Sequence, residues 1–281
     1  MFWSESGGAR VTIRHLSASS IQDFLDCPLR WHGRRVARWP EQKPPFFQQA
    51  AALGRAVHSA ISAHHAGRDA ETALATCWAT ETASCPAGSV SVHDALPLVR
   101  QYAAAVPARP GDRGDVRFDF EIPGVPVPII GYVDVLSGSH VREVKTTRSA
   151  KSWTQADIDR AVQGSVYWLA LLRSGLAKRP RLTYTVLRIG RSEPEHYETT
   201  RSDADTRQTE MLIRGVYERM TDGTAALEAR CRPGYCGFPA HCAEYGYTGP
   251  ERRSIGGSAP TLVASRGHRG PAALGGPVGL D

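Results

Sequence analysis

The stretch from Gly131 to Lys145 reads Gly-Tyr-Val-Asp-Val-Leu-Ser-Gly-Ser-His-Val-Arg-Glu-Val-Lys, and it leaves the chain little choice of fold. Two runs rich in β-branched residues flank Gly138-Ser139, and Gly followed by a small polar residue signals a two-residue hairpin loop. With that loop, Ser137 faces His140, Leu136 faces Val141, and Asp134 faces Glu143. Residues opposed in this way have Cβ atoms roughly 4.5–5.5 Å apart. Strand side chains alternate between faces, so Lys145 joins Glu143 on that same face. Two carboxylates and an ammonium therefore converge before any tertiary structure is assumed. Opposed like charges destabilise a sheet unless something sits between them, and a divalent cation such as Mg²⁺ is a natural occupant. The competing reading is a solvated polar face with Lys145 as a simple counter-ion. Leu136 and Val141 on the same face argue instead for partial burial.

The rest of the chain supplies the frame for this hairpin. Ser17 is a suitable N-cap for a helix with Ile21, Phe24 and Leu25 on one side. Leu53, Val57 and Ile61 recur every four residues, which predicts a second helix, and Gly54 and His58 share one stripe of it. Residues 66–90 read as helical with a loop around Cys85-Pro86-Ala87-Gly88, and 92–106 as a further helix with Pro97 near its first turn. Val116–Ile122 alternates as a strand, followed by hairpin strands over Val127–Leu136 and Val141–Thr146. A long helix is predicted over 155–174, a strand over Leu182–Ile189 and a helix over 203–221. That order gives an α/β or α+β core around one mixed sheet. Residues 1–10 are expected to form a loose start, and the Gly- and Pro-rich residues 248–281 a disordered tail. The domain between them spans 11–247.

The 281 residues carry a net charge of +6, most of the positive charge on arginine. This suits an anionic partner and bidentate phosphate contacts, although a high-GC genome also yields Arg-rich proteins. No apolar run is long enough to span a membrane, and the N-terminus lacks the pattern of a signal peptide, so a cytosolic location is expected. In a reducing compartment the six cysteines are expected to be ligands or thiols rather than disulfides. No phosphate-binding Gly-x₄-Gly-Lys-Ser/Thr motif occurs, so any helicase is expected on a separate chain.

Several motifs in one order resemble a known family. Asp134 with Glu143-Val144-Lys145 resembles the core of the PD-(D/E)XK nuclease superfamily. Ser17–Ser20 with Phe24–Trp31, Gly54-x-x-x-His58, Gln163-x-x-x-Tyr167 and a C-terminal cysteine group resemble its RecB-like branch, which includes the CRISPR-associated RecB-like exonucleases. The resemblance covers about residues 11–246. Val133 stands where the superfamily's name-giving proline would be. The resemblance implies a restriction-endonuclease-like fold and a DNA nuclease, an exonuclease acting in recombination, repair or phage DNA processing, on DNA with a single-stranded end. It implies Mg²⁺ or Mn²⁺ at Asp134, Glu143, His58 and the carbonyl of Val144, with Lys145 orienting or deprotonating the attacking water. An imidazole ligand favours Mn²⁺ relative to an all-oxygen site. It also makes Gln163 and Tyr167 contacts to the substrate strand.

From the residues themselves, Glu121, thirteen positions before Asp134, is a candidate extra acidic ligand. Arg148, Lys151 and Trp153, just after Lys145, are candidates for backbone and stacking contacts to single-stranded DNA. The resemblance further implies a [4Fe–4S] cluster on Cys27, Cys231, Cys236 and Cys242, with Zn²⁺ as the alternative. Cys231 departs from the pattern, since Pro233 stands where the matching cysteine would be. Cys77 and Cys85 read as small packing residues. Two other readings remain open: an inactive DNA-binding module of the same fold, and a cysteine-metal protein that binds RNA. A helicase or recombinase on another chain is the expected kind of partner.

Overall fold

The computed structural model describes residues 11–42, 45–83, 91–149, 153–222, 236–238 and 241–242. The expected loose start and tail lie outside them. Five strands form one mixed sheet in the order β1 (Arg113–Ile122), β2 (Val125–Ser137), β3 (His140–Thr147), β4 (Arg181–Arg188) and β5 (Glu195–Thr199). All neighbours are antiparallel except β3 and β4, which are parallel. A parallel pair requires a crossover, and here it is made by α6 (Gln155–Asp159) and α7 (Val162–Arg173).

The two faces of the sheet carry separate cores. On one side α1 (Ala18–Asp26), α7 and α8 (Asp203–Thr221) pack Ile21, Phe24, Leu169 and Ile213 against Phe118, Ile129, Val141 and Tyr184. On the other, α3 (Pro45–His65), α4 (Ala70–Thr82) and α5 (Val92–Ala105) pack Val57, Ile61, Leu74 and Leu98 against Val135, Val144 and Leu187. A short helix α2 (Pro28–Arg35) follows α1 directly, and Cys27 serves as the C-cap of the first and the N-cap of the second. Ser17 caps α1 as expected, in a reciprocal arrangement with Ser20. Gly114 lets α3 lie against β1, because a Cβ there would stand 2.6 Å from the Cα of Ser62.

The hairpin loop follows the sequence reading, with Ser137 paired to His140, Leu136 to Val141, and Gly138 at positive φ. Three other readings need correction. The long helix over 155–174 is two helices, because Ala161 turns extended. The buried Arg201 guanidinium also reaches carbonyls at this junction, Ile158 O at 3.4 Å and Ala161 O at 3.5 Å. Pro97 sits inside α5, beyond its first turn. The edge strand β5 was not expected, since its charged sequence Glu-His-Tyr-Glu-Thr carries no apolar run.

Candidate active site

The site forms where β2 and β3 part. Their ladder ends at Val135↔Arg142, one position short of the expected Asp134–Glu143 pair. At the same point Val133 contributes to the core on one face of the sheet and Val135 to the core on the other. Residues two apart normally share a face, so β2 changes face at Asp134. Asp134 is thereby freed from cross-strand pairing, and its Oδ2 accepts a hydrogen bond from the amide of Val144 at 2.7 Å. On β1, Asp115 interrupts the ladder opposite this point, between the pairs Gly114↔Val135 and Val116↔Val133, with a left-handed φ of 52°.

Both layers of helices reach this opening. From α3, His58 Nδ1 donates to Asp134 Oδ1 at 2.8 Å. From α7, Gln163 offers its Oε1 to the Lys145 ammonium at 2.6 Å, and its Nε2 donates to the hydroxyl of Tyr167 at 2.7 Å. Lys145 Nζ also donates to Glu143 Oε1 at 2.7 Å. The sequence candidates Asp134, Glu143, Lys145, His58, Gln163 and Tyr167 are thus drawn into one cluster, with Val144 supplying its amide.

The electrostatics separate the two carboxyls. Burial pushes the Glu143 carboxyl up, and the nearby Asp134 charge adds to this; Lys145 and His58 offset only part, leaving it at about 7. Burial acts on Asp134 in the same direction, but the charge and hydrogen bond of His58, the Val144 amide and Lys145 together hold it below the usual carboxylate range. His58 answers in kind: burial lowers it, and the Asp134 carboxylate more than restores it. Lys145 and Glu143 are almost wholly buried, and the second oxygen of Glu143 is buried with no hydrogen-bond partner. Leaving a buried charged oxygen unmatched is costly, and a cation placed there would meet the need. Among the described residues no three His, Cys, Asp or Glu side chains are gathered as a finished metal cage. Asp134 and Glu143 are instead each held by a cationic neighbour.

Other candidates stand apart. Glu121 is exposed near the far end of β1, at a register shift between Phe120 and Ile122, while Asp134 lies across from Asp115. The thirteen-residue count back from Asp134 picked the wrong end of β1. Asp115 is the acidic residue of β1 nearest the cluster in register, and burial together with the Asp134 charge raises its carboxyl. Nothing in the sequence marked it except its place between Gly114 and Val116. Arg148 lies 3.5 Å from Asp94 of α5. Trp153 is partly buried against the core, and its backbone carbonyl accepts from the Tyr197 hydroxyl at 2.8 Å. Lys151 lies outside the described residues. A further residue missed by the sequence is Tyr184, paired in register with Glu143 and fully buried; burial and the Glu143 charge raise its hydroxyl well above the usual range.

The cysteines form a second, smaller assembly. Cys27, Leu29 and Cys242 make a buried cluster with Trp39 and Cys236 packed against it. The sulfur of Cys27 accepts from the Arg30 amide at 3.4 Å. His241 stacks on Trp39 with ring centroids 4.4 Å apart. Cys231 and Cys85 lie outside the described residues, and Cys77 packs against the α3–α5 core.

The arrangement agrees with comparison to known proteins. A model of the PD-(D/E)XK nuclease superfamily matches residues 15–243. The chain belongs to that superfamily. Its fold is similar to the crystal structure of a Eubacterium rectale protein provisionally named an exonuclease, at 13% identity and a TM-score of 0.52, over 79% of this chain and 86% of that one. A second solved structure, SSO0001, matches at 13% identity and a TM-score of 0.44, over 82% of this chain and 87% of that one. No curated protein matches the chain. As a PD-(D/E)XK protein the chain has a nuclease fold, an α+β mixed sheet flanked by helices, and nucleases of this superfamily typically use divalent metals such as Mg²⁺. Among the described residues no helix is long and apolar enough to cross a membrane.

Proposed function

We propose that the chain is a metal-dependent deoxyribonuclease of the RecB-like branch, an exonuclease that hydrolyses phosphodiester bonds at a DNA end. The observation that carries this reading is the buried Lys145 ammonium, held between Glu143 and Gln163 beside a Glu143 oxygen that has no partner. The donor set of Asp134, Glu143 and His58 suits Mg²⁺ or Mn²⁺, and the carbonyl of Val144 is the fourth candidate ligand. Such an ion would neutralise charge on the phosphate and acidify the attacking water.

The protein's own groups have separable tasks. His58 and the Val144 amide fix Asp134 in its ionised form. Glu143, with its raised proton affinity, holds Lys145, and Lys145 orients the water or stabilises charge as the bond breaks. Gln163 fixes the ammonium from the α7 side and ties it to the buried Tyr167, and these two remain the candidate contacts to the substrate strand. Arg148 and Lys151 are the candidate contacts to the strand's phosphates. The family resemblance is what suggests a [4Fe–4S] cluster on Cys27, Cys231, Cys236 and Cys242, with Zn²⁺ as the alternative. A cytosolic role in recombination, repair or phage DNA processing follows from the branch, with DNA bearing a single-stranded end as substrate and a helicase or recombinase as separate partner.

The test is cleavage of end-labelled DNA with Mg²⁺, Mn²⁺ or EDTA. Wild-type protein is expected to release label only with metal, and Asp134→Ala to lose at least about 100-fold in rate, since it removes a direct metal ligand. Full activity in Asp134→Ala contradicts the assignment, and DNA binding without cleavage in the wild type makes the chain a binding module instead.

A further inference from the structure

The face of the sheet turned away from Glu143 carries a second set of charged residues. Arg142 and Glu143 are consecutive on β3 and so point to opposite sides. On the Arg142 side, two adjoining cavities of about 260 and 360 Å³ open beside the C-terminal end of α5, both lined by Arg109, His140, Arg142 and Arg181. The register of β3 and β4 sets His140 beside Arg181 and Arg142 beside Thr183.

The cations here outnumber the acids available to them. Asp112 is turned to His65 at 2.8 Å, to the hydroxyl of Ser137 and to the Arg109 amide at 3.0 Å. Glu198 pairs with Arg181 at 3.1 Å. The side chains of Arg142, which is half-buried, and Arg109, which is exposed, make no ion pair or hydrogen bond with a described residue. The neighbouring imidazoles bear the mark of this field. Burial, then Arg142, Arg181 and Arg109, pull His140 down to about 4. Burial and Arg142 lower His196 as well. Both imidazoles are therefore neutral at pH 7, and neither adds to the positive charge nor cancels it. His140 Nε2 and Thr183 Oγ1 meet at 2.7 Å and present a hydroxyl and an imidazole to the same space.

A half-buried guanidinium without an acidic partner is matched by an anion, and its planar fork fits phosphate oxygens two at a time. The cavities are at the small end of ligand pockets, which run from roughly 300 to 1,000 Å³. We propose that this groove binds a phosphate-bearing ligand the size of a single nucleotide, with Arg142 and Arg109 holding the phosphate. The ligand is either a free nucleoside monophosphate or one nucleotide of a DNA strand, and the site does not depend on the nuclease reading.

Calorimetric titration of the full-length protein in EDTA tests this. The probes are inorganic phosphate, deoxyadenosine monophosphate and a short oligothymidylate without a terminal phosphate. Phosphate and the monophosphate are expected to bind the wild type, and Arg142→Ala to weaken both at least about tenfold, the loss of one charge-assisted hydrogen bond. Arg109→Ala, at an exposed position, gives the same reading should Arg142→Ala fail to fold. Displacement of phosphate by the oligothymidylate identifies a strand as the source, and displacement by the monophosphate alone identifies a free nucleotide. No binding to the wild type, or equal binding to wild type and the folded arginine variants, overturns the proposal.

Discussion

Arg142 and Glu143 are neighbours on one strand, yet they occupy opposite electrical worlds. Glu143 is fully buried among Asp134, Lys145 and His58, and every charge there has an opposite charge close by. Arg142 is half-buried among arginines and neutral imidazoles, and its charge has no acidic partner. One side is a closed network of internal pairs with a single orphan oxygen. The other is an open groove with a surplus of cations. The alternation of a strand can thus give a sheet two sites of opposite preference. Burial decides which of them must be neutralised from within.

If that contrast holds, the two faces respond differently to loss of a cation. At a pH well above the value of about 7 to which Glu143 is raised, Lys145→Ala leaves an ionised Glu143 buried without its partner, so melting experiments are expected to show a loss of about 3 kcal/mol there. Adding Glu143→Gln removes the stranded charge and should restore more than half of it. A double variant no more stable than the single one would mean that Lys145 matters for packing rather than charge.

The groove side should show itself in pH dependence. His140 is held below its unfolded pKa of 6.5, at about 4, so the folded protein takes up fewer protons than the unfolded chain between those values. Stability is therefore lost as pH falls from 6.5 toward 4. His140 is half-buried, so of the shift only roughly 1–2 kcal/mol is expected after solvent screening. His140→Gln should flatten that part of the curve relative to wild type, and superimposable curves would remove the lowering attributed to burial and to the Arg142 and Arg181 charges. The smallest effect is expected from Arg142→Ala. It removes a charge with no acidic partner and should change stability by less than about 0.5 kcal/mol, the range of ordinary surface changes. A loss as large as that of Lys145→Ala would erase the distinction between the faces.

The hairpin was legible in the sequence because its turn, register and alternation are all local. Gly138-Ser139 fixed Ser137 opposite His140, and the alternation of β3 put Glu143 and Lys145 on one face. His58, Gln163 and Tyr167 were legible only through the family resemblance, since their approach depends on how two helical layers meet the sheet. The departure of Asp134 from direct pairing with Glu143 could not be read. It depends on β2 changing face, a tertiary effect with no signal in Val133-Asp134-Val135. Asp115 escaped for the same reason, and Glu121 drew attention only by lying at the strand's end. Trp153 was picked by its position after Lys145, and its partial packing against the core depends on the fold around α6 and β5. The groove around Arg142 was invisible because its cations come from β3, β4 and the segment after α5, far apart in the chain.

On this reading the orphan oxygen of Glu143 marks a cation site on one face of β3. The most direct measurement is the melting temperature of wild type and Glu143→Gln across a Mn²⁺ titration. The account predicts a rise with Mn²⁺ in the wild type that is absent from Glu143→Gln, because a ligand bound only to the folded state stabilises it by mass action. An equal rise in both proteins, or none in either, would contradict it.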